Sequence, residues 1–477
     1  ALIAGLAVLA LSAVVPSPAA AQGTFAFVDV NVVPMAAAGA PGGGVDAAGS
    51  AATTDGVLPG HTVIVRDGVI ESVGPAGDVA VPDDATVIDG AGRWLVPGLA
   101  EMHAHVPPVR GDGWPDREAV EDMLFLYVAN GITSIRGMLG APYQLELRDL
   151  LARGEMLGPT FYVGAPSING NSAPDPATAE AMVRRHDAAG YDLQKIHPGL
   201  DRATWDRMAA TAREVGLTFA GHVPAAVGVD HALATGMSTI DHLDGYVPAV
   251  ASASIRERLL TGDNIPLGEV VASATPERIA EVAEATREAG TWVVPTMYLW
   301  EHLYGSPDAE ALLAGPGMEY VSRAQREGWR RQARNRPSIP PDVAEAHNAL
   351  RKRILLALSE AGAGVLMGTD SPQMFNVPGF ALHHEIDVMR EAGLSPRAIL
   401  ESGTVNVARY VETELGLPGD FGSVAPGIRA DLVLLEANPL ADLDHLKRRA
   451  GVMVRGRWLP AAEIEAGLER LAAKHAG

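Results

Sequence analysis

The 477-residue chain contains no cysteine, so disulfides, thiolate nucleophiles and thiolate metal ligands are all excluded. Any bound metal must be held by histidine, by carboxylate or by an oxygen derived from lysine. Positive charge is scarce as well. Lys and Arg number 37 against 58 Asp and Glu, a formal net charge of −21, which argues against nucleic acid or an anionic membrane as a partner. What remains is ordinary for a folded protein: 47% hydrophobic and 20% charged residues, in a chain long enough for one large domain and a smaller one.

A long apolar run is also missing outside the first residues. ALIAGLAVLALSAVV, followed by PSPAAAQ, reads as the apolar core and cleavage region of a secretory signal over residues 1–21. Ala19-Ala20-Ala21 fits the small-x-small rule and places the cut after Ala21. The run is short for a membrane span, and without a following cysteine lipid attachment is excluded. The expectation is a secreted or bacterial periplasmic protein with no stable membrane insertion.

Short strands are predicted at both ends of the chain. FAFVDVNVV (residues 25–33) reads as one, and HTVIVRDGVIESVG (61–74) alternates and turns at Asp67-Gly68, a hairpin signal. Residues 87–90, 430–435 and 452–458 add more, whereas the Ala/Gly-rich stretch 36–60 reads as a loop. The predicted arrangement is a small β-sandwich built from residues 22–95 and 421–477. Between them, residues 96–420 alternate strand and helix signals. Apolar runs ending in a polar residue fall at 96–103, 131–136, 161–165, 192–197, 218–222, 238–242, 292–297 and 365–370. Several intervening helical segments close on Gly just before the next strand. Eight strands with helical crossovers predict a (β/α)8 barrel, an α/β fold. A helical insertion around 300–345, carrying Trp300, Tyr304, Tyr320 and Trp329, is predicted to lie over the barrel mouth.

The chemistry is concentrated at the ends of those strands, where barrels of this type place their active sites. WLVPGLAEMHAHV ends in His103 and His105, two imidazoles that share one face of a strand. The fourth strand carries Lys195, the fifth ends in His222, the sixth in His242 and the eighth in Asp370. Four histidines, a lysine and an aspartate at five strand ends form a candidate metal-binding set.

The segments PGLAEMHAH, GYDLQKIH, FAGHVP, STIDHLDGY, MGTDSP, SGTVNVARY and PGIRADLVLL together resemble the amidohydrolase superfamily. The likeness is to its binuclear type with a bridging carboxylated lysine, within the imidazolonepropionase-like group that includes prolidases. The resemblance implies a barrel with a sandwich, two divalent ions, usually Zn²⁺, and hydrolysis of an amide-like bond by a metal-bridging hydroxide. Carried over by motif, His103, His105 and Asp370 would hold the buried ion, and His222 and His242 the exposed one. Lys195 would bridge both as a carbamate, because an ammonium would repel them. Asp370 would also move a proton to the leaving nitrogen. A homo-oligomer is implied too.

Further residues are candidates for substrate contact. Tyr246, four residues after His242, offers a hydroxyl for the carbonyl or its tetrahedral successor. Arg136 ends the second strand and offers a guanidinium to a substrate carboxylate, and His197 shares a strand face with Lys195. His383 follows the eighth strand beside His384. Trp300 and Tyr304 sit at helical spacing, and packing within the insertion accounts for them. The substrate expected is a dipeptide, including Xaa-Pro, or an N-acyl amino acid. A cyclic amide and a phosphotriester are the alternatives, and a non-catalytic scaffold is a further one. A mononuclear deaminase fits less well, because His222 is followed by Val-Pro-Ala-Ala with no glutamate to shuttle protons.

Overall fold

The computed structural model describes residues 23–35, 56–107, 113–305, 308–336 and 339–476. The expected signal, its cleavage site and most of the 36–60 loop lie outside the described residues. Among the described residues, no helix is long and apolar enough to cross a membrane.

Both chain ends contribute to one sheet. Its strands are β1 (Thr24–Val32), β2 (Leu58–Arg66), β3 (Val69–Pro75), β4 (Thr86–Asp89) and β5 (Trp94–Pro97). The C-terminal part adds three more strands to it, Leu432–Leu435, Arg449–Val454 and Arg457–Pro460. The hairpin turn is where the sequence places it: Asp67 and Gly68 both have positive φ, as a tight turn between twisted strands requires. Hydrogen bonds join all eight strands into a single sheet, where the sequence reading expects two facing layers. The sheet curls back on itself. Ala430 N–H donates to Gly68 O, Gly456 N–H to Ala430 O, and Ile70 N–H to Ile428 O. Phe27, Val63 and Ile70 from one arm thereby share an apolar core with Leu432, Leu434 and Met453 from the other.

The middle of the chain carries two parallel sheets with helical crossovers. The first contains β6 (Leu99–Ala104), β7 (Ile132–Gly137) and β8 (Thr160–Val163). The second contains β9 (Gln194–Ile196), β10 (Phe219–Gly221), β11 (Thr239–Asp241) and β12 (Trp292–Val294). Apart from the half-buried Thr160 at the start of β8, these strands are buried throughout, as parallel strands covered by helices must be. Residues 365–370, read from sequence as the eighth strand, and Ser371 pair only through isolated bridges to their neighbours. Leu366 N–H donates to Val293 O on one side, and Met102 N–H and His105 N–H donate to Met367 O and Ser371 O on the other. Similar bonds tie the segment that follows β8 to the chain at β9: Ala165 N–H to Leu193 O, and Ile168 N–H to Lys195 O.

The insertion begins in the helix Met297–Tyr304 and continues through Ala309–Leu313 and Arg323–Arg334 into the long helix Pro341–Ala361. It docks on the segment after residue 371: Trp329 packs on Phe375 and Tyr320 stacks on Phe380.

Candidate metal centre

The six residues singled out from sequence come together at the C-terminal ends of the parallel strands. His103 and His105 both project from the end of β6, their rings 5.3 Å apart. The His103 ring lies 4.4 Å from that of His242, and the His242 ring 4.5 Å from that of His222. Lys195 Nζ is 3.4 Å from His103 Nε2. Asp370 reaches into the group: its Oδ1 is 2.6 Å from His105 Nε2 and 3.7 Å from His103 Nε2, and its Oδ2 is 3.8 Å from His242 Nδ1. One ligand atom from each of His103, His242 and Asp370 lies within 4.8 Å of the others.

The surroundings fit a cation. A histidine ligand must be neutral, and its second nitrogen is normally held by a carboxylate or another polar group. Two of the four histidines, His222 and His242, meet this pattern through hydrogen bonds, and an aspartate stands beside a third, His103, whose Nδ1 makes no hydrogen bond. Asp241 Oδ2 is 2.8 Å from His103 Nδ1, Asp244 Oδ2 is 2.5 Å from His222 Nδ1, and Thr296 Oγ1 is 2.8 Å from His242 Nδ1. His242 Nε2 is buried with no hydrogen-bond partner, a costly state that a metal bond would relieve. Burial and the nearby Lys195 hold His103 well below the usual imidazole range; burial, His103 and His222 do the same for His242. Lys195 is wholly buried, and desolvation brings its ammonium down to about 8. Near neutral pH part of the amine is therefore free to add to carbon dioxide and lose a proton, the chemistry a carbamate needs.

The backbone is strained at the same place. His242, Asp370 and Thr296 all have positive φ, at 63°, 65° and 45°, which non-glycine residues adopt at a cost of about 1–3 kcal/mol each. Two of these carry candidate ligands and the third holds one of them in place.

Three candidates for substrate contact lie elsewhere. Arg136 does end β7, but its side chain is fully buried beneath the histidines. Both Nη2 bonds go to Asp241 at 3.2 Å, Nη1 donates to Thr239 and Tyr410, and Nε donates to Met102 O. With its donors taken up in the core, it is not placed to meet a substrate carboxylate. Tyr246 opens a one-turn helix, Tyr246–Ala249, that turns its ring away from the cavity. Its hydroxyl is 2.9 Å from Thr286 Oγ1 on the helix Pro276–Ala289, and the side chain is fully buried. His383 faces inward from the helix Phe380–Glu391, against Asn130 and Arg449.

His197 does line the site. Its ring stacks 4.9 Å from His222, and Nδ1 is 2.6 Å from Ser167 Oγ. It borders a cavity of about 430 Å³ together with His105, His222, Asp370, Gln373, Leu139, Leu299, Trp300 and Leu303. Gln373 Nε2 donates to Asp370 Oδ1 at 2.5 Å. Trp300 therefore has two roles, stacking on Tyr304 as the sequence reading has it and also walling the cavity.

Comparison with known proteins agrees with this geometry. Residues 94–459 match the amidohydrolase family, and the chain belongs to that family. It is 26% identical over 396 residues to an imidazolonepropionase of Acidiphilium cryptum (strain JF-5), spanning 81% of this chain and 89% of that one. Among solved structures it is similar to a bottromycin amidohydrolase (TM-score 0.67, 24% identity, 95% of this chain and 90% of that one). It is also similar to a Xaa-Pro dipeptidase with methionine bound in its active site (TM-score 0.62, 16% identity, 92% and 100%). At these identities the structural likeness speaks for the fold.

Proposed function

We propose that this protein is a metal-dependent hydrolase that cleaves the C–N bond of small peptides or N-acyl amino acids. The observation that carries the reading is the convergence of His103, His105, Lys195, His222, His242 and Asp370 into one cluster, of which His105, His222 and Asp370 border the cavity. His103, His105 and Asp370 are the residues to hold one divalent ion, and His222 and His242 a second. Lys195, whose Nζ is 3.4 Å from His103 Nε2, would serve both ions if carboxylated. Zinc suits a donor set of neutral imidazole and carboxylate. What such ions supply is Lewis acidity, which brings the pKa of a water near neutrality and polarises a carbonyl.

The chain's own groups do the rest. Asp370 borders the cavity and accepts a hydrogen bond from Gln373, which orients its carboxylate where a proton can pass from the attacking water to the leaving nitrogen. His197 is the polar group left to contact the substrate, since Arg136, Tyr246 and His383 are committed elsewhere. The cavity is of a size for a dipeptide or an acyl amino acid.

Architecturally, the two parallel sheets are read as arcs of one eight-stranded barrel over residues 96–420. The bridges Gly164–Leu193, Val293–Val365 and Ala104–Ser371 support this. The curled sheet of both chain ends is read as the accompanying sandwich, supported by its shared core. Export to the periplasm and a homo-oligomeric state belong to the same proposal.

The cyclic-amide alternative is supported by the imidazolonepropionase relative. One screen separates these readings: a panel of dipeptides, N-acyl amino acids, cyclic amides and a phosphotriester, assayed with added Zn²⁺. Turnover of the linear amides is expected. Turnover of the cyclic amides or the phosphotriester alone overturns the peptide reading.

A further inference from the structure

We propose that the helix Met297–Tyr304 builds a subsite for an apolar side chain beside the bond that is cut, with Trp300 as the specificity-determining residue. This rests on the hydrolytic reading above and adds to it the kind of substrate accepted.

The cavity has two unlike sides. One is the ligand cluster with His197 and Gln373; the other is Leu139, Leu299, Trp300 and Leu303. Three of those four apolar residues come from a single helix, at positions that share one face. Among the described lining residues there is no lysine or arginine, and the one carboxylate is Asp370. A charged side chain seated against Leu299, Trp300 and Leu303 would lose its hydration without a charged partner on that wall. An apolar one gains in proportion to the area it takes out of water.

The apolar wall starts at the metal centre itself. The indole of Trp300 lies 5.7 Å from the His242 ring, so a group resting on it is next to the reacting carbon. The wall is also held in place before any ligand arrives. Glu385 accepts hydrogen bonds from Met297 N–H and Tyr298 N–H, each at 2.8 Å, and so caps the helix from below. Arg351 lies 5.4 Å from the Trp300 ring and is tied down by His242 O and Pro295 O. Tyr304 stacks on the same indole at 5.6 Å. A preorganised wall spares the ordering cost that a loose loop would pay on binding. Trp300 Nε1 is moreover buried without a hydrogen-bond partner, a donor the fold itself does not use.

The test compares N-acetyl-L-leucine with N-acetyl-L-serine on the zinc-loaded enzyme, alongside calorimetric binding of free L-leucine and L-serine. Wild type is expected to favour the leucine compounds by at least about 10-fold in kcat/KM and in affinity. Trp300→Ala should lower that preference by about 10-fold, whereas Trp300→Phe should keep it within about 3-fold. Should Trp300→Ala fail to fold, Leu303→Ser carries the same comparison, with the same loss of preference expected. Equal treatment of leucine and serine by wild type, or an unchanged ratio in the folded variant, overturns the subsite. Failure of the hydrolytic reading looks different: no acyl amino acid is turned over, yet L-leucine still binds in preference to L-serine and Trp300→Ala removes that preference.

Discussion

Asp241 Oδ2 lies 2.8 Å from His103 Nδ1 while the same carboxylate takes both Nη2 bonds of Arg136, and all three side chains are fully buried. The arrangement backs a candidate ligand: the aspartate lies against the imidazole and the arginine neutralises the aspartate. Asp241→Asn removes the charge that both neighbours depend on. It should lower zinc affinity by about 10-fold to 100-fold and cost about 3–5 kcal/mol of stability, because Arg136 is left as an uncompensated buried cation. Zinc titration and thermal unfolding of the variant check both.

Arg136 serves as a test of where substrate binding does not occur. Arg136→Met should destabilise the protein and depress kcat through Asp241. Its effect on KM should be equal for substrates with and without a terminal carboxylate. A rise in KM confined to the carboxylate-bearing substrates would return Arg136 to the substrate site.

Tyr246→Phe separates a core hydroxyl from a catalytic one. The lost bond to Thr286 should cost about 1 kcal/mol of stability. Values of kcat/KM should stay within about 3-fold of wild type, measured on the same linear amides. A loss of about 100-fold, the scale expected of a group that stabilises a developing oxyanion, contradicts the placement.

These two corrections show what was legible in the sequence and what was not. Strand alternation was enough to pair His103 with His105, and the strand-end rule found Lys195, His222, His242 and Asp370. Depth was not legible. Arg136 is at a strand end, but its long side chain runs back into the core, and one-dimensional spacing does not distinguish that from reaching the mouth. Tyr246 was placed from its distance to His242, yet Gly245, at φ 77°, turns the chain before the short helix that carries it. Asp241 was hidden for a related reason. Alternation puts it opposite its neighbour His242, and only the left-handed backbone at His242 brings both toward the same cluster. Asp244 and Thr296 hold histidines through comparable turns, which residue spacing does not encode. The hairpin at Asp67-Gly68 was readable because its turn geometry depends on those two residues alone.

Glu385, a buried carboxyl outside the candidate ligand set, gives a pH dependence of stability. Burial pushes its carboxyl up from 4.5 to about 7, against the two backbone bonds that favour the ionised form; Glu301 raises it further and Arg351 opposes. A carboxyl with a raised folded-state pKa adds stability when protonated, and that contribution is lost as pH rises from about 4.5 to about 7. The full loss is on the order of 3 kcal/mol. Wild type should therefore lose stability across that window relative to Glu385→Gln and run parallel to it above. Chemical denaturation of both proteins between pH 4.5 and 8 measures the difference.

The most direct measurement is zinc stoichiometry on chelator-stripped protein, titrated back and followed by elemental analysis. The account predicts two zinc ions per chain in the wild type, fewer in His242→Ala and Asp370→Asn, and amide hydrolysis that returns in step with the metal. A wild type that hydrolyses linear amides without bound metal, or ligand variants that still take up two ions as tightly as wild type, would contradict it.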